Sequence, residues 1–165
     1  MITGMNVVIA NRQRKKKINT PALKQIVGAL LAELELEQVD LGINLVSARE
    51  MTLVNETFLQ HEGPTDVITF DHEEMRETEN GKRKTIHGEL FVCVDVAGVQ
   101  AKEFKAKWQS EVVRYIVHGV LHLLGHDDLK PQMRRKMKRA ENRLVRRLQQ
   151  EFLFAQLSRT AKISA

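Results

Sequence analysis

The eleven residues from His118 to Asp128, "HGVLHLLGHDD", hold three histidines and two aspartates, whose nitrogen and oxygen atoms are typical zinc ligands. His118 and His122 are four residues apart, which on a helix places two imidazoles one turn apart on one face, within reach of one ion. A third ligand from that same face would distort a tetrahedron, so the chain must turn before supplying it. Gly125 follows His122 by three residues and tolerates a positive φ, and Asp128 follows by three more. The run H-x-x-x-H-x-x-G-x-x-D therefore predicts a metal site made of His118, His122 and Asp128. His126 competes for the third place. In a helix continued through Gly125, His118 and His126 would stand about 12 Å apart along the axis, too far for one ion, so Asp128 is favoured. His126 is then left near the mouth of the site, as a proton carrier or a group that orients a ligand.

Such side chains need a rigid platform. Val113, Ile116, Val117, Val120, Leu121 and Leu124 repeat at helical spacing through the histidines, which predicts a helix capped by Ser110 and ended by Gly125. Pro131 opens a long last helix to about Leu153. Upstream, residues 6–12 read as a strand, and Thr20 with Pro21 starts a helix carrying Leu23, Ile26, Val27, Leu30, Leu31 and Leu34. Residues 39–47 form a second strand, and the Ser47/Glu50 capping box opens a helix through about Leu59. "EGPT" at 62–65 is turn chemistry, "DVITF" at 66–70 a strand, and the charged stretch 71–84, with Asn80-Gly81, an exposed loop or ribbon. "GELFVCV" at 88–94 reads as a central strand, after which Asp95 caps a helix to about Trp108. This order predicts one α/β (α+β) domain, with about four strands in a mixed sheet, about five helices and a zincin-like metal helix. Residues 155–165 are expected to form a flexible tail.

A chain of 165 residues suits one domain with one core, and a composition 42% hydrophobic and 28% charged argues against bulk disorder. Cys93 is the sole cysteine and sits in an apolar run, so no internal disulfide can form and a reduced, cytoplasmic compartment fits. The N-terminal basic cluster follows a short apolar run, the wrong order for a secretory signal, and no apolar run approaches the ~20 residues of a membrane span. Net charge is +5, and it is clustered: residues 134–147 hold eight Lys and Arg against one acid, Glu141, and "RQRKKK" covers residues 12–17. Such patches suit phosphate backbones, with Arg134, Arg135, Lys138 and Arg139 the candidates for RNA contacts.

The metzincin peptidases share this ligand spacing, with histidine in third place and a glutamate directly after the first histidine as general base. Gly119 stands at that glutamate position, so a hydrolase of amide substrates ranks third among the readings. The sequence more closely resembles the YbeY endoribonucleases of bacterial ribosomal RNA maturation, whose signature looks like H-G-x-L-H-L-x-G-Y-D-H. The match falls on His118, Gly119, Leu121, His122, Leu123, Gly125 and Asp127. A second signature, resembling L-N-x-x-F-R-x-x-D-x-P-T-D-V-L-S-F, is met by "VNETFLQHEGPTDVITF" at Asn55, Phe58, Pro64, Thr65, Asp66, Val67 and Phe70. "HGELFV" resembles the G-D-I strand that follows, and the pieces together cover roughly residues 50–150.

The resemblance implies an α/β fold holding one zinc beside a cleft, cleavage specific for single-stranded RNA, and a role in 16S ribosomal RNA maturation and ribosome quality control. It also implies contact with the small ribosomal subunit and the assembly GTPase Era. His118 and His122 take the first two ligand places, and the family's third histidine falls on Asp128. A carboxylate there lowers the charge of the site by one, which raises the pKa of a bound water and increases tolerance for harder divalent ions such as manganese. Thr65 and Asp66 fall in the cleft wall. The family's cleft arginine aligns with Leu59, and its aspartate with Glu62. Arginine would hold a scissile phosphate bidentately, which leucine cannot do. The runner-up reading is therefore a non-catalytic RNA- or ribosome-binding assembly factor with a structural metal.

Overall fold

The computed structural model describes residues 4–59, 61, 63–73 and 84–158. Residues 74–83 of the expected ribbon with its Asn80-Gly81 turn, Glu62, and residues 159–165 of the expected tail lie outside the described residues.

Among the described residues the β-branched runs become four strands: β1 (Gly4–Asn11), β2 (Gln38–Val46), β3 (Val67–Asp71) and β4 (Thr85–Cys93). The helical repeats become α1 (Thr20–Glu33), α2 (Ala48–Val54), α3 (Val94–Glu103), α4 (Trp108–Leu123) and α5 (Pro131–Glu151). The sheet order is β1-β2-β4-β3, with β1, β2 and β4 parallel and β3 antiparallel to β4. This is the expected mixed α/β sheet, with β4 central and "VITFD" at an edge.

Strand alternation assigns the two faces. Val39, Leu41, Ile43 and Leu45 of β2 and Ile86, Leu90 and Val92 of β4 point to one side, where they are buried with the apolar stripes of α1, α4 and α5. The opposite side is covered only in part: Val46, Met51, Ile68 and Cys93 form a smaller cluster under α2. Beyond it the sheet surface is polar, with Asn6 and His87 paired to Asp40 and His72 to Glu89. α4 rests on β4 and β3 so closely that a Cβ at Gly119 would meet Leu90 Cδ2 at 2.7 Å.

Several local expectations shift. The cap of α1 is Asn19, whose side chain accepts from Ala22 N–H at 3.0 Å, one residue before the expected Thr20. Ser47 does cap α2, but α-helical bonding ends at Val54 and gives way to a π-turn, Asn55–Leu59. Asp95 does not cap α3. It lies in the first turn and accepts from Ala48 N–H at 2.7 Å, so this carboxylate serves the start of α2, a helix 47 residues away in sequence. Ser110 lies inside α4, which begins at Trp108. Residues 155–158 of the expected tail belong to a 3-10 turn, Phe154–Ser158, because Leu157 is buried in the main core and its carbonyl accepts from Asn19 N–H at 2.7 Å.

Candidate metal centre

α4 carries both histidines and ends as the glycine requires. Gly125 adopts φ 96°, its N–H bonds His122 O, and His126 N–H bonds Leu121 O, the paired bonds of a Schellman ending. The chain then doubles back toward the helix side that bears His118 and His122. The loop is braced by Asp127, whose carboxylate accepts from Leu129 N–H at 2.8 Å, and by Arg134 Nε, which donates to Asp128 O at 3.1 Å. In consequence one ligand atom each from His118, His122 and Asp128 lies within 4.8 Å of the others. His126 is not part of that group; burial foremost, with Lys136 and His122 adding repulsion, lowers its pKa and keeps the ring neutral.

Hydrogen bonds orient both imidazoles. His118 Nδ1 meets Glu141 Oε1 at 2.8 Å, and His122 Nδ1 meets the carbonyl of His126 at 3.0 Å. Both partners are acceptors, so the network assigns the proton of each neutral ring to Nδ1 and leaves the lone pair on Nε2. Those two lone pairs face each other at 3.0 Å, and Asp128 Oδ2 stands 3.5 Å from His122 Nε2. Two lone pairs and a carboxylate converging on one point repel unless a cation lies between them. A tetrahedral zinc with 2.0–2.1 Å bonds holds its ligand atoms roughly 3.3 Å apart, close to both separations. The chemistry of this donor set fits a divalent metal.

Glu141 was visible in the sequence only as the one acid among the eight Lys and Arg of residues 134–147. It is 3% exposed, and it accepts from Arg114 at 2.7 Å and Lys138 at 2.9 Å as well as from His118. Burial opposes its ionisation, but the hydrogen bonds from His118, Lys138 and Arg114 prevail and hold the carboxyl at about 2. The signal that could have found it is its uniqueness: an acid retained on the buried stripe of so basic a helix has a partner to neutralise or orient.

His118, Lys138, Glu141, Arg114 and Asp66 line one cleft of about 370 Å³. Asp66 comes from the start of the edge strand, where its Oδ1 accepts from Val67 N–H at 2.8 Å and from the Thr65 hydroxyl at 3.3 Å. Thr65 itself is not among the residues lining that cleft. The four RNA candidates on α5 separate: Arg134 braces the Asp128 loop and Lys138 reaches the cleft, whereas Arg139 lines a different groove with Arg143 and Arg146, and Arg135 is exposed. Leu59, 41% exposed at the end of the π-turn, is not among the residues lining the cleft. Gly119 faces Leu90 and Val67 of the sheet, so a glutamate there would enter the core instead of the site, and the amide-hydrolase reading loses its base.

The match to the family model described as Endoribonuclease YbeY spans residues 8–149. Relatives carrying the name Endoribonuclease YbeY include one from Syntrophotalea carbinolica, 31% identical over 88% of this chain and 97% of its own length. Another, from Chlorobium phaeovibrioides, is 32% identical over 86% of this chain and 90% of its own. A third, from Myxococcus xanthus, is 36% identical over 71% of this chain but only 39% of its own length. Among solved structures, the solution structure of a Thermotoga maritima protein superposes with TM-score 0.64 and 25% identity, covering 88% of this chain and 91% of the other. With its strand order, its two-histidine helix and a family match running through nearly all of the described fold, this chain belongs to the Endoribonuclease YbeY family.

Proposed function

We propose that the protein is a metal-dependent endoribonuclease that cleaves single-stranded RNA, with zinc held by His118, His122 and Asp128. The observation that carries this reading is the convergence of two imidazole lone pairs and a carboxylate beside a cleft that also bears Lys138, Arg114 and Asp66. Bound zinc supplies Lewis acidity at the scissile phosphodiester and makes water a usable nucleophile near neutral pH. Glu141 fixes the His118 tautomer and the His126 carbonyl fixes that of His122. Lys138, from the basic helix, takes the charge-neutralising task that the family arginine would perform at the Leu59 position. Asp66, anchored by Val67 N–H, is the carboxylate on the opposing wall able to orient water or accept its proton. By family resemblance the physiological substrate is 16S ribosomal RNA in maturation and quality control, with the small ribosomal subunit and Era as partners. No helix among the described residues is long and apolar enough to cross a membrane.

Leu59 favours one second reading, an RNA- or ribosome-binding assembly factor whose metal is structural. Cleavage of single-stranded RNA by wild type and by His122→Ala, with metal content measured on both, separates the two. Metal-dependent cleavage lost in His122→Ala supports the nuclease. RNA binding with stoichiometric metal but equal residual cleavage in both proteins supports the assembly factor.

A further inference from the structure

The basic cluster at residues 12–17 is not a loose arm. Gln13 is 5% exposed, donates to Asn11 and to Lys16 O, and accepts from Lys16 N–H, which folds the segment into a pinned turn. That turn delivers Lys15 and Lys16 to a pocket of about 480 Å³ whose other walls are α3 and the start of α4. Trp108 stands half-buried in it with Lys16 Nζ 5.6 Å from its ring, the buried Val94 and Ala101 add apolar lining, and Val99 is exposed at its edge. Lys102 and Lys107 complete the rim, and neither has an ion pair among the described residues. The one acid of the pocket, Asp95, is already engaged by Lys15 at 3.6 Å and by Ala48 N–H. An aromatic wall ringed by four lysines, three of them without a carboxylate partner among the described residues, matches a base with its phosphates.

This pocket adjoins the metal cleft across a single turn. Gln100 and Phe104 line the cleft with His118, whereas Ala101 and Lys102 line the pocket with Trp108. The turn between them is closed by Ala106 N–H, which donates to Ala101 O at 2.8 Å, with Lys105 at φ 54°. Phe104 sits on the crest, 66% exposed.

We propose that the Trp108 pocket is a second nucleotide subsite. A single-stranded RNA whose reacting phosphate lies in the His118 cleft crosses the α3–α4 turn at Phe104, stacks a base on Trp108 and lays phosphates against Lys16, Lys102 and Lys107. The inference rests on the nuclease reading and deepens it, since it makes substrate length a determinant of affinity.

Trp108 is the only tryptophan of the chain, so intrinsic fluorescence reports this pocket alone. The full chain is titrated with a uridine dodecamer, a uridine trinucleotide and polyglutamate over a range of salt. The dodecamer quenches emission and binds more tightly than the trinucleotide. Lys102→Gln/Lys107→Gln weakens dodecamer binding and reduces the slope against log salt by about 1.4, two contacts at roughly 0.7 each. Trp108→Leu, read by anisotropy of labelled RNA, weakens it roughly 5- to 150-fold, the loss of one base stack; if that variant fails to fold, the lysine variant carries the test. Dodecamer binding without quenching, an unchanged salt slope in the lysine variant, or quenching by polyglutamate as strong as by RNA overturns the subsite, the last in favour of an acidic peptide. In the wild-type protein, quenching without metal-dependent cleavage defeats the nuclease reading, and cleavage without quenching defeats only the subsite.

Discussion

Glu141→Gln isolates the link between the basic helix and the candidate metal centre. The native carboxylate is almost wholly buried and receives three donors, from His118, Arg114 and Lys138, at 2.7–2.9 Å. Glutamine has the same shape but one acceptor oxygen, and its amide turns donor hydrogens toward groups that are themselves donors. A carboxyl held at about 2 instead of 4.5 represents about 3 kcal/mol of preference for the charged form, at 1.36 kcal/mol per pKa unit. Because the folded-state pKa is depressed, that stabilisation is present in full above about 4.5 and is lost as pH falls through about 2. Metal-free Glu141→Gln should therefore be less stable than wild type at pH 7 by an amount on the order of 3 kcal/mol, with the gap closing toward pH 2. Losing the partner that orients a ligating histidine costs roughly 10- to 100-fold in metal affinity. Competition for zinc against a chromogenic chelator at pH 7, and denaturant unfolding of the metal-free proteins across pH, measure the two effects. A zinc affinity unchanged to within about twofold would refute the argument that Glu141 aims His118.

The glycines that set α4 on the sheet give an ordered pair. A Cβ at Gly88 would meet the Phe70 backbone carbonyl at 2.5 Å, whereas one at Gly119 meets only side-chain methyls, of Leu90 and Val67, so Gly88→Ala should cost more than Gly119→Ala, at about 1–3 kcal/mol or above. Helix propensity offsets part of the cost at Gly119, and equal unfolding midpoints for the two would sink the comparison. Asn19→Ala removes the α1 cap and should cost about 0.5–2 kcal/mol, seen as a Tm lower by about 1–8 °C; a Tm equal to wild type would show that the bond from Asn19 N–H to Leu157 O suffices alone. Cys93 is fully buried, and burial foremost pushes its thiol above 9.0, so a thiol reagent at pH 8 should label the protein only at the rate of unfolding; labelling of the native protein as fast as free cysteine would contradict that packing.

The local part of this design is written in the chain. The spacing of His118 and His122, the left-handed stop at Gly125 and the return to Asp128 are consequences of helical pitch and glycine's φ range, and all act within eleven residues. Strand count, sheet class and the start of α5 follow equally from apolar period and proline. What periodicity does not carry is which distant polar group answers which. Asp95 resembles a cap of its own helix yet serves α2, and Asn19 takes the cap from Thr20, because either geometry satisfies the local pattern and only packing selects one. The same holds for Glu141 with His118, the Asp66 wall and the meeting of residues 15–16 with Trp108: each joins segments 23 or more residues apart. Even the basic helix reads as one uniform face until its buried stripe sends Lys138 toward the metal cleft and Arg139 to another groove. The sequence by itself determined the spacing that brings His118, His122 and Asp128 together and the class of fold, since both arise from short-range geometry. The tertiary structure decided how the ligands are held and what charge faces them, since those depend on long-range contacts that burial makes strong and that no local spacing encodes.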